Sequence, residues 1–379
     1  MKKMLMLASV ASMIDQFNMP NIQILQQQGY EVHVACNFQK GSTCSMEKIA
    51  ELKKRLEKMD VKYFQIDFSR NVLKLNEVKK AYDQVKSLCK KEKYQFIHCH
   101  SPIGGVIGRL AGHATKTKVM YTAHGFHFYK GAPIVNWLIY YPIERWLARY
   151  TDMLITINKE DYERAKGFKA KRVERIPGVG VDLERFQKSK SRRDDMRRKL
   201  GVEKEQIMLL SVGELNKNKN HKVVIEALEN FKDQNIVYCI CGKGNELKQL
   251  EAMADKYGIR DMVKFLGFRS DVDDIYRCAD IFVFPSYREG MSMALMESMA
   301  CGLPVICSDI RGNNELIVNN KGGYCVGPDR VDEFASGIKK IAESAQLRKS
   351  CGEYNKRFIE KFSIDEVNEK MIQLYSELL

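Results

Sequence analysis

Short apolar runs alternate with segments of helical period from one end of the 379-residue chain to the other. In the first half, the runs at 4–7, 31–35, 62–66, 96–100, 118–122, 153–157 and 172–176 read as strands. In the second half the runs at 207–212, 236–241, 263–266, 281–284 and 304–307 do the same. Amphipathic stretches such as 47–59 and 76–91 lie between them. Repeated strand–helix units predict parallel sheets covered by helices on both faces. About twelve strands, with a charged joint at 187–198, predict an α/β chain of two doubly wound, Rossmann-like domains, 1–185 and 190–360. In such sheets ligands bind beyond the carboxyl ends of the strands, so chemistry is sought just after each strand.

Composition narrows the class. Hydrophobic residues make up 45% and charged residues 29%, the balance of an ordinary globular protein. No run approaches the roughly 18 apolar residues of a membrane span, and the longest candidate, 135–143, contains Asn136. The opening apolar run is short and lacks a small-residue cleavage site, so a first strand is expected there, not a signal peptide. Eleven cysteines occur without CxxC pairs, and Cys239, Cys241, Cys301 and Cys307 sit inside apolar runs. Free thiols in a reduced, cytoplasmic compartment are expected.

Charge adds an asymmetry. Of the net +14, residues 1–186 carry 31 Lys and Arg against 18 Asp and Glu, and the remainder is nearly balanced. The first half therefore calls for an anionic partner: nucleic acid, a membrane surface or a phosphorylated acceptor. No nucleic-acid recognition motif accompanies the basic residues, so nucleic acid is not expected.

A doubly wound sheet first suggests a dinucleotide enzyme. The turn after the first strand, Ala8-Ser9-Val10-Ala11-Ser12, has no glycine, so the G-x-G-x-x-G fingerprint is missing where it belongs. Gly242-Lys243-Gly244 follows a strand, but it reads equally as a tight turn or as a phosphate contact.

The segment from Ser286 to Pro304 is more informative. A strand ends at Pro285, a loop carries Glu289-Gly290, Ser292 is placed to cap a helix, and Gly302-Leu303-Pro304 closes it. The amides at that helix start suit a diphosphate. Glu297 is a lone carboxylate among Met, Ala, Leu, Cys and Ser, where it needs donors: a core cation or sugar hydroxyls.

Glu289-x7-Glu297, with Gly290 after the first Glu and Gly302-x-Pro304 closing, resembles the signature of family 4 retaining glycosyltransferases of the GT-B fold. Val212-Gly213, Leu266-Gly267-Phe268, Asp309-x-x-Gly312-x-x-Glu315 and Phe362-Ser363 extend the resemblance along nearly the whole chain. It implies two domains facing a central cleft, with the last helix, 364–379, packed on the first domain. The second domain would bind a nucleotide-diphosphate sugar, a UDP-sugar by preference, and the first an acceptor. Glu289 would touch the donor sugar and Glu297 the ribose, while Gly290, Met291, Ser292 and Met293 would meet the diphosphate. Phe268 would flank the base. Catalysis would run by front-face attack without a metal or other cofactor.

One position departs from the pattern. The family places Arg after the strand-end Gly213 and Lys a few residues on; here Lys219 fits, but Glu214 stands in the Arg position. A carboxylate about 4 Å from a phosphate charge costs about 4 kcal/mol at an effective dielectric near 20. Glu214 is therefore expected to point away, pair with a Lys, or hold a sugar hydroxyl. Arg311 is the candidate replacement cation.

In the first half, His98 and His100 share one face of a strand end. With no third ligand in the pattern, capping or acceptor contact is expected there rather than a metal. His124, just past the next strand end, matches the family's histidine beside the bond that breaks, and ranks above His127. The usual Gly-Gly loop after the first strand is replaced by Ser12-Met13-Ile14-Asp15-Gln16-Phe17, which resembles members that extend lipid-linked glycans for bacterial polysaccharides. Asp15 and His100 are the acceptor-side candidates. The aromatic segment 134–147 reads first as core and second as an interfacial helix near an anionic membrane. The expected partners are thus a nucleotide sugar, a glycan or lipid-diphosphate-linked acceptor, and a membrane surface at the inner face of the plasma membrane. The rival readings are a nucleotide-sugar epimerase and a non-catalytic nucleotide-sugar-binding protein, the latter suggested by Glu214.

Overall fold

The computed structural model describes residues 2–40, 45–69, 74–187, 192–232 and 235–378. The chain divides into two units, Met1–Val179 with Val367–Leu379, and Gly180–Glu366.

The first unit holds a seven-stranded parallel sheet of β1 (Lys2–Val10), β2 (Tyr30–Asn37), β3 (Lys62–Gln65), β4 (Phe96–His100), β5 (Lys118–Ala123), β6 (Met153–Thr156) and β7 (Arg172–Arg175). Its order is β3-β2-β1-β4-β5-β6-β7, so the winding reverses between β1 and β4. Helices cover both faces, which is why Met4 to Ala8 is continuously buried instead of alternating. The C-terminal helix Ile364–Leu378 belongs to this unit from Val367 on. Tyr375, buried on that helix, meets Nδ1 of His98 at 2.7 Å, and Lys118 Nζ donates to the Leu378 carbonyl at 2.8 Å.

The second unit holds a six-stranded parallel sheet of β8 (Ile207–Val212), β9 (Ile236–Cys241), β10 (Val263–Gly267), β11 (Ile281–Phe284), β12 (Val305–Ser308) and β13 (Gly323–Val326). The order β10-β9-β8-β11-β12-β13 reverses between β8 and β11. β13 has no counterpart in the sequence reading. It is a four-residue edge strand that opens on glycine and is mostly half-buried, so no apolar run marks it.

The second unit begins at Gly180, earlier than the expected boundary at 185–190, and its two ends meet within it. Val181 bridges to Ser363, its amide donating to Phe362 O at 2.9 Å and its carbonyl accepting from Ile364 N at 3.0 Å. Gly180 (φ +81°) sits so close that a Cβ there would lie 2.6 Å from Ile364 Cα. Val181 and Phe186 are buried in the second core. Part of the expected charged joint, 188–191, lies outside the described residues. Among the described residues, no helix is long and apolar enough to cross a membrane.

The aromatic helix Ile134–Leu147 is core on one side only. Trp137, Tyr140 and Tyr141 pack on the first unit's core, whereas Ile134, Leu138 and Trp146 are exposed.

Candidate functional site

In the second unit, groups able to hold an anion gather beyond the ends of β8, β11 and β12, at the switch point. The loops there are pinned by close backbone contact. A Cβ on Gly242 would lie 1.8 Å from the Gly213 carbonyl oxygen, and one on Gly244 would lie 2.1 Å from that of Leu215. Of the two readings of Gly242-x-Gly244, the structure thus displays the tight, closely packed turn.

Asn216 caps the turn Lys217–Lys219, its Oδ1 accepting from the Lys219 amide at 3.0 Å. The Lys219 stem runs over Gly213, and its ammonium sits 4.7 Å above the Phe284 ring and 2.7 Å from Glu289 Oε1. Asn218 steadies the Glu289 loop: its amide donates to Arg288 O at 3.0 Å, and its carbonyl accepts from Tyr287 N at 2.8 Å. From the end of β12, Arg311 Nε donates to the Glu289 carbonyl at 3.3 Å. Gly312 (φ +83°) follows, and a Cβ there would lie 2.4 Å from Gly290 O. Two cations from different strand ends therefore meet at one loop.

That loop leads into the helix Met293–Ala300, capped by Ser292 Oγ accepting from the Leu295 amide. The first amides of a helix have no intrahelical acceptor and carry its positive pole. Within the first turns, Glu297 is half-buried and accepts from the Tyr276 hydroxyl at 3.1 Å. Burial pushes its carboxyl up to about 7, against the lowering effect of the Tyr276 bond.

In the first unit, imidazoles line the end of β4. His98 is filled on both nitrogens, Nδ1 by Tyr375 and Nε2 by Thr122 at 2.8 Å, which leaves no lone pair for a metal. His100 Nδ1 and His124 Nε2 lie 3.1 Å apart. Burial lowers His98 to about 3 and His124 to about 4, and holds His100 well below its usual range, so the cluster is neutral. The His124 loop is held by the Phe126 amide donating to Asp161, itself fixed by Asn158. At the switch point Ser101 adopts φ +65°, a strained value for serine, and its hydroxyl bonds Ser9. Among the described residues no three His, Cys, Asp or Glu side chains gather as a metal site.

Residues 3–158 match the family described as glycosyl transferase 4-like, and residues 192–358 match glycosyl transferases group 1. The chain is 37% identical to Bacillus subtilis EpsD, named a glycosyltransferase, over 99% of this chain and 96% of that protein. It belongs to the family 4-like glycosyltransferases. This glycosyltransferase is also 28% identical, over 84% of each chain, to an Escherichia coli enzyme named UDP-Gal:alpha-D-GlcNAc-diphosphoundecaprenol alpha-1,3-galactosyltransferase. Anabaena HepE, solved in complex with UDP-glucose, superposes over the full length of both chains with a TM-score of 0.80 at 19% identity, which shows the GT-B fold.

Within the glycosyltransferase, Gly213, Lys219, Glu289, Gly290 and Arg311 come together, with Ser292 and Met293 opening the adjoining helix. Met291, between them, packs against the core. Phe268 follows the edge strand β10, directly after Gly267, and is 60% exposed. Glu214 is exposed, and its carboxylate accepts from Asn216 Nδ2 at 2.9 Å, so it meets its own loop's amide and not a lysine. Asp15 pairs with Arg55 of the helix Met46–Lys58, not with the histidines. His124 and Glu289 belong to different units. Tyr276, the hydrogen-bond partner of Glu297, was not singled out from the sequence, where nothing distinguishes it from any buried tyrosine of helical period.

Proposed function

We propose that this glycosyltransferase is a retaining enzyme that moves a hexose from a UDP-sugar to a lipid-diphosphate-linked glycan during bacterial polysaccharide assembly. The observation that carries the proposal is the meeting of Lys219 and Arg311 at the Glu289–Gly290 loop, beside the helix start that leads to Glu297. Two cations and helix amides suit a diphosphate, and a half-buried carboxylate suits the two hydroxyls of a ribose. With those groups neutralising the leaving diphosphate, the reaction needs no metal and no other cofactor.

In the reaction the bond from the sugar's anomeric carbon to the diphosphate breaks as the acceptor oxygen bonds the same face of that carbon. The acceptor's proton passes to the departing diphosphate oxygen. Glu289 orients the sugar. Electrostatic stabilisation of the leaving group supplies most of the rate.

The name of the Escherichia coli relative supports a UDP-sugar donor and a lipid-linked acceptor. The net +13 of the first unit supports work at the anionic inner face of the plasma membrane. Proton NMR of the first product tests the stereochemistry. An α-configured donor should give an α-glycoside, and a β-glycoside would overturn the retaining reading.

A further inference from the structure

The helix Ile134–Leu147 is anchored by polar groups and exposes apolar ones. On its inner side Glu144 is buried, and its carboxylate accepts from Arg109 Nη1 at 2.7 Å and from the Tyr121 hydroxyl at 3.4 Å. Arg109 is itself fully buried, stacked 4.2 Å above the Tyr121 ring. On the outer side Ile134 is 78% exposed and Leu138 71%, with Val135, Ile139, Ile143 and Trp146 exposed beside them. Six of the ten exposed large hydrophobic side chains among the described residues thus sit on one helix, so this is a patch and not scatter. At about 100° per residue these side chains, with Pro142, cover roughly half the helix circumference. A continuous apolar face of this kind on a soluble unit marks an interaction surface.

Charge selects the partner. Residues 101–150 contain six Lys and Arg and one acidic residue, and that one is Glu144, turned inward. Lys130, Arg145 and Arg149 are exposed at the two ends of the patch, and Trp146 packs edge-on against Tyr150 at the basic end. At one end the carboxylate of Glu160 accepts from the Lys130 amide at 2.7 Å. An apolar face with cations at its ends and an aromatic pair matches the headgroup boundary of an anionic bilayer. A helix of 14 residues is about 21 Å long, too short for a bilayer core of about 30 Å.

We infer that the 134–147 helix lies flat in the boundary layer of an anionic membrane, with Ile134, Leu138, Ile139, Ile143 and Trp146 among the acyl chains and Lys130, Arg145 and Arg149 at the headgroups. This rests on the lipid-linked acceptor proposed above and names the element that brings the first unit to it.

The test uses the full chain with Trp137→Phe, which leaves Trp146 as the sole tryptophan. Vesicles of phosphatidylcholine with phosphatidylglycerol should shift Trp146 emission to shorter wavelength, and bromine on the acyl chains should quench it. Vesicles of phosphatidylcholine alone should do little. Leu138→Glu with Ile139→Glu, both at exposed positions, should lower vesicle partitioning by about 10-fold or more while leaving the melting temperature and UDP affinity unchanged. Wild-type protein that ignores anionic vesicles, or a double variant that partitions as wild type does, would overturn the inference. So would a lipid-free dimer in sedimentation that the double variant dissolves, because a second copy would then cover the face. Whether the acceptor is lipid-linked is read separately, as sugar transferred into the organic phase of a membrane extract.

Discussion

The Lys219 ammonium lies 2.7 Å from the Glu289 carboxylate, and both side chains are mostly buried. In the free protein, the cation suited to a diphosphate is held by the carboxylate suited to the sugar. In the proposed function, donor binding exchanges that partner for phosphate oxygens. Glu289→Gln should therefore bind bare UDP no more weakly than wild type, because Lys219 is released, while turnover falls by about 10-fold or more. Calorimetry and initial rates check this; a parallel loss of UDP affinity would make Glu289 structural.

Lys219→Ala and Arg311→Ala should each weaken UDP far more than uridine, by about 10-fold or more, since only UDP carries the charge they neutralise. In Lys219→Ala the effect is compounded, because Glu289 is left near the phosphates without its cation. Equal losses for UDP and uridine would remove the residue from the diphosphate site.

Glu297 gives a pH dependence. Its carboxyl, pushed up to about 7, is part-protonated near neutrality, whereas ribose hydroxyls donate to the ionised form. UDP affinity should fall as pH drops below about 7, by up to tenfold per unit, and level off above it. Glu297→Gln should flatten that profile, and Glu297→Ala should cost about 10-fold or more in affinity. The raised carboxyl means the folded state binds the proton more tightly than the unfolded state. Wild type should therefore lose stability relative to Glu297→Gln as pH rises from the ordinary carboxylate range through about 7. Thermal melts of both proteins across pH check this.

Tyr375→Phe removes the hydroxyl facing Nδ1 of buried His98 and leaves that nitrogen unpaired. A loss of about 1–3 kcal/mol is expected, read by denaturant unfolding, with UDP affinity unchanged because the site lies in the other unit.

Much of this was legible in the sequence, and the reason is physical. Strands buried on both faces carry largely apolar runs, so β8, β9 and β11 stand out residue for residue, and β4 does so despite His98 and His100. The Ser292 cap was legible because a cap is local, its partner amide only three residues on at Leu295. The Lys219–Glu289 pair was not, since it joins positions 70 residues apart that only the switch point brings together. Tyr276 was hidden for the same reason. The 134–147 helix was read first as core because apolar periodicity says which residues share a face, not which way the face points. The buried Arg109–Glu144 pair fixes which side of the helix turns inward.

The nucleotide-diphosphate site is tested most directly by a thermal-unfolding titration of the full chain with UDP, GDP and uridine, repeated on Lys219→Ala and Glu297→Ala. Specific binding to the folded state should raise the melting temperature saturably. A rise with UDP is expected, with little from GDP or uridine, and both variants should lose most of the UDP effect. No rise with UDP, or an equal rise in wild type and both variants, would contradict a nucleotide-diphosphate site at the end of β8 and β11.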